Sequence, residues 1–405
     1  MLNRHFNITN IGNAEIDKFA SRAYDAIHNT NGNIGDVTQI DFVQLPENFK
    51  NADFIFAGSP CQDISTAGKQ SGVVWTCGCG CKYNPLTVPP EERDFCPSCH
   101  CSDSIDKTRS SLLVYYMEAV RQLQPKVTIF ENVANLAKSR KFSEAFNNIL
   151  SELGSYGYNI YYEIMNAKDY GIPQNRERVI VVAIRKDVDN GKFKFPKPAE
   201  MKNINDLLED NSALFNETDA DILIDSSIAP YVRANIEREK EQIIRSDKGI
   251  YRLNCTSGFQ DNAVGIKYVP ALRAQNPSTI ALQKMNVNGA DKYYIKKLTP
   301  IEAFRFMGFT DEDYRKAADV VSKSQIYKQA GNSIVVNVVQ AVLQEIFNAM
   351  PFLFENGRMF HLFSGIGAFE KAVNNIVDTA NAEHNLLRCR RVGNRLMILK
   401  TYDAA

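Results

Sequence analysis

Short apolar runs alternate with longer amphipathic stretches over the first 185 residues. Residues 6–11, 54–57, 127–130, 160–165 and 179–184 read as strands, and 179–184 is almost wholly β-branched, as expected of a strand buried on both sides. Between them, 16–28, 111–123 and 143–153 carry apolar residues at helical spacing. This alternation predicts an α/β fold, a doubly wound and mostly parallel sheet covered on both faces. The pattern changes after Lys186. Residues 187–292 are polar and irregular, interrupted by Pro196, Pro198, Pro270 and Pro277, and are expected to form a separate smaller lobe. Helical order resumes at 299, where Thr299 suits an N-cap, Pro300 the first helical position and Glu302 the first turn. A helix is expected over 333–350, then a strand over 359–363 leading into a glycine turn and a helix from about Ala368. Residues 381–405 show no persuasive periodicity, and 379–405 are expected to form a disordered tail. The domain plan is therefore 1–186 and 293–378 for one α/β body, 75–106 for an insert, and 187–292 for the lobe.

Candidate chemistry gathers at the ends of these strands. Gly58-Ser59-Pro60-Cys61-Gln62-Asp63 follows the run 54–57. It places Cys61 at the carboxyl end of a buried strand, where α/β enzymes hold their reacting groups. Phe130-Glu131-Asn132-Val133 ends another strand, so Glu131 is expected at the same edge of the sheet, and Gln174-Asn175-Arg176-Glu177-Arg178 precedes a third. Alone, each has a bland explanation: a structural thiol, a capping carboxylate, a surface ion pair. Together they supply what attack on an electron-poor aromatic ring needs: a thiolate nucleophile, a carboxyl group for a ring nitrogen, and a guanidinium for a carbonyl oxygen. A free cysteine titrates near ~8.5, and Arg176 or Arg178 as a positive neighbour is expected to raise its thiolate fraction. At the other end of the chain, Phe363-Ser364-Gly365-Ile366-Gly367 after a strand is a turn that lets a ligand approach backbone closely. Glu15 could accept hydrogen bonds from ribose hydroxyls and Asp36 one from an exocyclic amine. The phosphate-loop pattern is absent from the sequence, which favours a nucleoside without polyphosphate.

Composition adds bounds. Of 405 residues, 44% are hydrophobic and 23% charged, with net charge zero, so any nucleic-acid contact must come from a local patch rather than a global basic field. Apolar runs fall short of the ~20 residues that span a bilayer, and the first residues begin no signal peptide; an intracellular, cytoplasmic and reducing setting is expected. The nine cysteines then read as thiols or metal ligands. Six of them, Cys77, Cys79, Cys81, Cys96, Cys99 and Cys101, fall in one insert, and Cys96-Pro97-Ser98-Cys99 has zinc-knuckle spacing. A structural zinc on four thiolates is expected. Cys96 and Cys99 are the firmest ligands, the pair drawn from Cys77, Cys79 and Cys81 is open, and Cys101 is a candidate spare.

The Pro60-Cys61-Gln62, Glu131-Asn132-Val133, Gln174-x-Arg176-x-Arg178, Gly331-Asn332-Ser333 and Phe363-Ser364-Gly365-Ile366-Gly367 segments resemble motifs of the cytosine-C5 DNA methyltransferase family, and the resemblance covers most of residues 1–375. It implies a Rossmann-like S-adenosylmethionine-dependent fold, with 187–292 as the target-recognition lobe. It further implies that Cys61 adds to C6 of a cytosine flipped out of double-stranded DNA, that Glu131 engages N3 and the exocyclic amine, and that Arg178, helped by Arg176, holds O2. S-adenosylmethionine would be held by Phe363, Ser364, Gly365, Ile366, Gly367, Glu15, Ile16, Asp36, Pro60, Asn332 and Ser333. A monomer is implied, in a bacterial or phage-infected cell, with or without a cognate restriction endonuclease. The order departs from the family, whose cofactor loop usually comes first, so the chain reads as circularly permuted, joined through 348–357. His361 stands where aspartate is common and Ala368 where glycine is common.

Overall fold

The computed structural model describes residues 5–61, 63–65, 72–254, 263–274 and 279–391. Its largest sheet contains β1 (Asn7–Ala14), β2 (Phe54–Gly58), β3 (Val127–Val133), β4 (Tyr158–Asn166), β5 (Glu177–Arg185) and β6 (Glu355–Leu362), in the order β1-β6-β2-β3-β5-β4. The first four in that order pair in parallel, and β5 runs antiparallel to both of its neighbours. The helices that matter for the site are α1 (Lys18–His28), α2 (Leu113–Leu123), α3 (Ser143–Ser155), α4 (Lys323–Asn332), α5 (Val336–Ala349) and α6 (Ala368–Arg391).

Alternate side chains along a strand point to opposite faces, and each face here has its own core. Phe54, Phe56, Ile129, Ile180 and Val182 pack with Val339 and Leu343 of α5 and Phe369 and Val373 of α6. Ile55, Ala57, Phe130, Val179 and Val181 pack with Met117 and Val120 of α2 and Phe146 and Ile149 of α3. That two-sided demand explains why β2 and β5 are continuous apolar runs. The α/β, doubly wound expectation holds.

Three boundaries move. The helix expected over 333–350 begins at Val336, and Asn332 instead ends α4, leaving Ser333 in extended backbone between the two helices. The smaller sheet runs Ile222–Ile224, Ala290–Lys297, Ile280–Val287, Ala263–Gly265, Ile250–Arg252, with Val232, Ile236 and Ile243 of the helix Pro230–Ile244 in its core. The lobe therefore extends to Lys297, whereas Phe193, Ile204 and Leu207 pack into the main core. The segment expected as a tail continues α6 to Arg391, because Ile376, Val377 and Ala380 prolong its apolar stripe. The Asn381 side chain accepts from Phe6 N (3.0 Å) and donates to Phe6 O (2.8 Å), tying α6 to the start of β1. Residues 392–405 lie outside the described residues.

The expected insert is an antiparallel ribbon of Lys82–Tyr83, Trp75–Cys77 and Ile105–Lys107. It leads through a 3-10 turn, Arg109–Leu112, into α2.

Candidate active site

The carboxyl ends of β1, β6, β2 and β3 converge on a cavity of about 260 Å³. Its walls bring together Cys61, Glu131, Arg176 and Arg178, and also Glu15, Ile16, Asp36, Pro60, Asn332, Ser333, Phe363, Ser364, Gly365 and Ile366. Of the residues singled out from sequence for catalysis and cofactor binding, Gly367 alone is not part of this wall. It supports the loop from behind: φ is +79°, and a Cβ there would sit 2.1 Å from His28 Nε2.

Glu131 faces Cys61 because β3 pairs Glu131 with Gly58 at the end of β2. The turn between them is fixed by Asn132, whose Nδ2 donates to Ser59 Oγ (3.1 Å) and Ser59 O (3.3 Å). Beyond the turn, Ile64 N (3.1 Å) and Ser65 N (2.8 Å) donate to Cys61 O. Arg178 Nε meets Glu131 Oε1 at 2.8 Å. Burial pushes the Glu131 carboxyl above its usual range, opposed by Arg178 and Arg176. A carboxyl so placed can be protonated when it is needed as a donor.

Burial pushes the Cys61 thiol upward; Arg178 and, more weakly, Arg176 oppose that rise, the sign expected of positive neighbours, and Glu131 adds to it. Arg176 reaches the cavity wall but is 3% exposed and donates to Leu272 O (2.9 Å), Gly331 O (3.0 Å) and Ser333 O (2.7 Å). Burial lowers its pKa, with Arg178 adding to the effect. Its geometry is that of a strut between the segment entering the small lobe and the Gly331-Asn332-Ser333 turn.

On the other side of the cavity, Glu15 Oε2 accepts from Gly365 N (2.9 Å) and Oε1 from Asp17 N (2.8 Å). Burial raises the Glu15 carboxyl against those hydrogen bonds. Asp36 Oδ1 accepts from Thr38 N at 2.9 Å. Phe363 (φ +54°) and Gly365 (φ +55°) give the loop its left-handed bends. Sequence reasoning missed Asn13, whose Nδ2 donates to Ser364 Oγ (2.8 Å), and Lys328, paired with Asp17 at 2.6 Å, which ties α4 to the N-cap of α1. Neither carries a local signal, since both partners are distant in sequence. His361 also lines the cavity; neither ring nitrogen has a hydrogen-bond partner, and burial, with His28 beside it, pushes its pKa down to about 3.

In the ribbon, the Sγ atoms of Cys77, Cys79, Cys96 and Cys99 lie within 4.8 Å of one another. Cys81 and Cys101 do not belong to this set. Their carbonyl oxygens instead accept from Cys77 N (2.9 Å) and Cys96 N (3.0 Å), closing the turns that present the four thiols.

A mostly parallel sheet with a glycine turn after β6, opening on a cysteine, a glutamate and arginines, defines a Rossmann-like S-adenosylmethionine-dependent methyltransferase. The chain belongs to the C-5 cytosine-specific DNA methylase family, whose model matches residues 3–78 and 101–348, and is a DNA cytosine methyltransferase. It is 33% identical over 321 residues to the type II methyltransferase M2.ScrFI of Lactococcus lactis subsp. cremoris, covering 79% of this chain and 72% of that one. It is 29% identical over 419 residues to the orphan methyltransferase M.SPBetaI of Bacillus phage SPbeta, covering 84% and 92%. Among solved structures, an Entamoeba histolytica methyltransferase, EhMeth, shares the fold at 17% identity and a TM-score of 0.51, covering 83% of this chain and 89% of that one. Among the described residues no helix is long and apolar enough to cross a membrane.

The cavity suits S-adenosylmethionine. Ile16, 74% exposed, offers an apolar face, Gly365 leaves open space where a Cβ would stand, and the acidic side chains of Glu15 and Asp36 offer acceptors to ligand hydroxyl and amine groups.

Proposed function

We propose that the protein methylates C5 of a cytosine extruded from a specific double-stranded DNA sequence, through a transient bond between Cys61 and C6. The observation that carries this reading is the single cavity in which Cys61, Glu131 and Arg178 face the Glu15–Gly365 side. Extrusion is needed because C5 and C6 are inaccessible inside the stack, and it costs a few kcal/mol. S-adenosylmethionine, when bound, supplies an electrophilic methyl group. Cys61 loses its proton to solvent and its sulfur adds to C6. Glu131 gives a proton to N3 and accepts from the exocyclic amine, and Arg178 turns from Glu131 to donate to O2, so that electron density collects at C5. After alkylation, the C5 proton leaves to water, N3 returns its proton to Glu131, and the Cys61 sulfur departs with its electron pair as the ring regains aromaticity.

Circular permutation is part of the same reading. It is supported by the family match, which leaves 349–405 and hence the glycine loop outside it, and by the Asn381–Phe6 contact, which closes the gap that a cut there would open. The small lobe would read the target, and a structural zinc would sit on Cys77, Cys79, Cys96 and Cys99. The relatives' names cover both type II and orphan enzymes, and the same two roles are open to this one.

The test is a duplex of the true target carrying 5-fluorocytosine, with the target found by cytosine-modification sequencing of DNA from expressing cells. The expected result is a covalent complex through Cys61, retained on denaturing gels and absent in C61S. Folded protein with bound donor that methylates cytosine but forms no such adduct would refute the mechanism.

A further inference from the structure

We propose that the cysteine ribbon is a metal-locked brace that positions Cys61, rather than an added DNA contact. Three of its four thiols, Cys79, Cys96 and Cys99, fall in the stretch 79–100 that the family match omits, so the family resemblance assigns the cluster no role. The chemistry points to zinc. Sγ separations of 3.5 Å (Cys77–Cys99) and 3.7 Å (Cys79–Cys96) approach the ~3.8 Å expected between sulfurs around a tetrahedral ion with Zn–S of about 2.3 Å. Trp75 and Leu86 pack into the core beneath α2 and α3, which leaves the cysteine end of the ribbon little buried apolar surface beyond Cys77 and Cys96, too little to hold its shape without a metal or disulfide.

Charge argues against phosphate contact. Residues 73–107 carry three basic and five acidic side chains, and four thiolates around a divalent ion add further negative charge. A segment of that sign is repelled by a DNA backbone.

The contacts run instead toward the nucleophile. Trp75 pairs with Lys107 across the ribbon, and Thr108 N donates to Val74 O (3.2 Å) while its Oγ1 donates to Gly72 O (3.0 Å). Two residues on, Asp63 N donates to Ser110 Oγ and Ser110 N to Asp63 Oδ2, both at 3.1 Å. Asp63 follows Cys61 by two residues, within the turn whose amides bond Cys61 O. The ribbon is itself anchored to the body: Trp75 Nε1 donates to Ser111 Oγ (2.7 Å), and Arg93 forms a buried ion pair with Glu152 of α3. The metal thus fixes the ribbon, and the ribbon fixes one flank of the Cys61 turn. A displacement of the reacting sulfur by ~1 Å can cost on the order of 100-fold in rate.

Only the kinetic consequence rests on the proposed methyl transfer; the deciding readouts need no turnover. Full-length protein from zinc-supplemented cells is analysed for metal, then stripped by dialysis against a chelator. Wild type, C96S/C99S, C81S, C101S and S110A are compared. Three quantities are followed: emission of Trp75, the sole tryptophan, the rate of iodoacetamide labelling of Cys61 mapped by peptide mass spectrometry, and affinity for target duplex. One zinc per chain is expected in wild type, C81S, C101S and S110A, and none in C96S/C99S. Stripping should red-shift Trp75, change the Cys61 labelling rate by roughly tenfold or more, leave DNA affinity unchanged, and reverse when zinc is restored. S110A, which severs the brace without touching the metal, should reproduce the labelling change even if C96S/C99S fails to fold. Protein lacking zinc, or Cys61 labelling that ignores both zinc loss and S110A, overturns the proposal. A loss of DNA affinity with labelling intact would make the ribbon a DNA contact instead.

Discussion

Replacing Arg176 by lysine keeps a cation at the same place while removing the fork that bonds three carbonyl oxygens. In the structure those oxygens belong to Leu272, Gly331 and Ser333, at 2.9, 3.0 and 2.7 Å, in a setting where Arg176 is 3% exposed. The junction is tight: a Cβ on Gly331 would lie 2.1 Å from Ala274 N, so there is little room for water to replace a lost donor. A charge-assisted hydrogen bond contributes ~1.5–3 kcal/mol, and a lysine ammonium can serve one of the three carbonyls well, so R176K should destabilise by about 3 kcal/mol. Because Ser333 lines the cavity and Leu272 lies on the path to the small lobe, KM for S-adenosylmethionine and for DNA should both rise, each more than kcat falls. Urea unfolding gives the stability, and steady-state kinetics on target duplex gives the split. A variant as stable as wild type, with unchanged KM values and kcat lost, would refute the strut and put Arg176 against the reacting base.

Two further outcomes follow from the titrating groups. Burial raises the Cys61 thiol, so its alkylation rate in the free enzyme should keep climbing with pH beyond the ordinary cysteine midpoint of about 8.5, and R178M should move it higher still; a plateau by neutral pH would contradict the electrostatics. Glu370 on α6 is buried, hydrogen-bonded by Tyr24 and Asn10, and burial pushes its pKa up from 4.5 to about 7. A carboxyl whose folded pKa is raised contributes stability that is full below pH 4.5 and lost as pH rises through 7, here up to about 3 kcal/mol. E370Q should therefore lessen the fall in Tm between pH 5 and pH 8, and identical pH slopes in variant and wild type would refute this.

Local pattern alone carried much of the molecule. The continuous apolar runs of β2 and β5 demanded burial on both faces, and Thr299 with Glu302 announced the capping box that starts the helix Pro300–Arg305. Cys61 and Glu131 were legible because each stands at the end of an apolar run, and the ends of parallel strands share an edge; Arg178 precedes its run and meets them there because β5 runs antiparallel. The hairpin of the small lobe went unread, although Asn288-Gly289 (φ +52° and +83°) marks its turn, because the half-buried strands around it blur the alternation. Other features exist only once distant segments meet. The insertion of β6 between β1 and β2 depends on long-range pairing, which no local window encodes. Which four of six cysteines converge depends on how two turns fold back on each other. The upward shift of Cys61 and the role of Arg176 depend on segments distant in the chain, Glu131 beside the thiol and Leu272, Gly331 and Ser333 around the guanidinium. Periodicity records which face of an element is apolar, whereas desolvation and hydrogen-bond partners are set by whatever else arrives at that face.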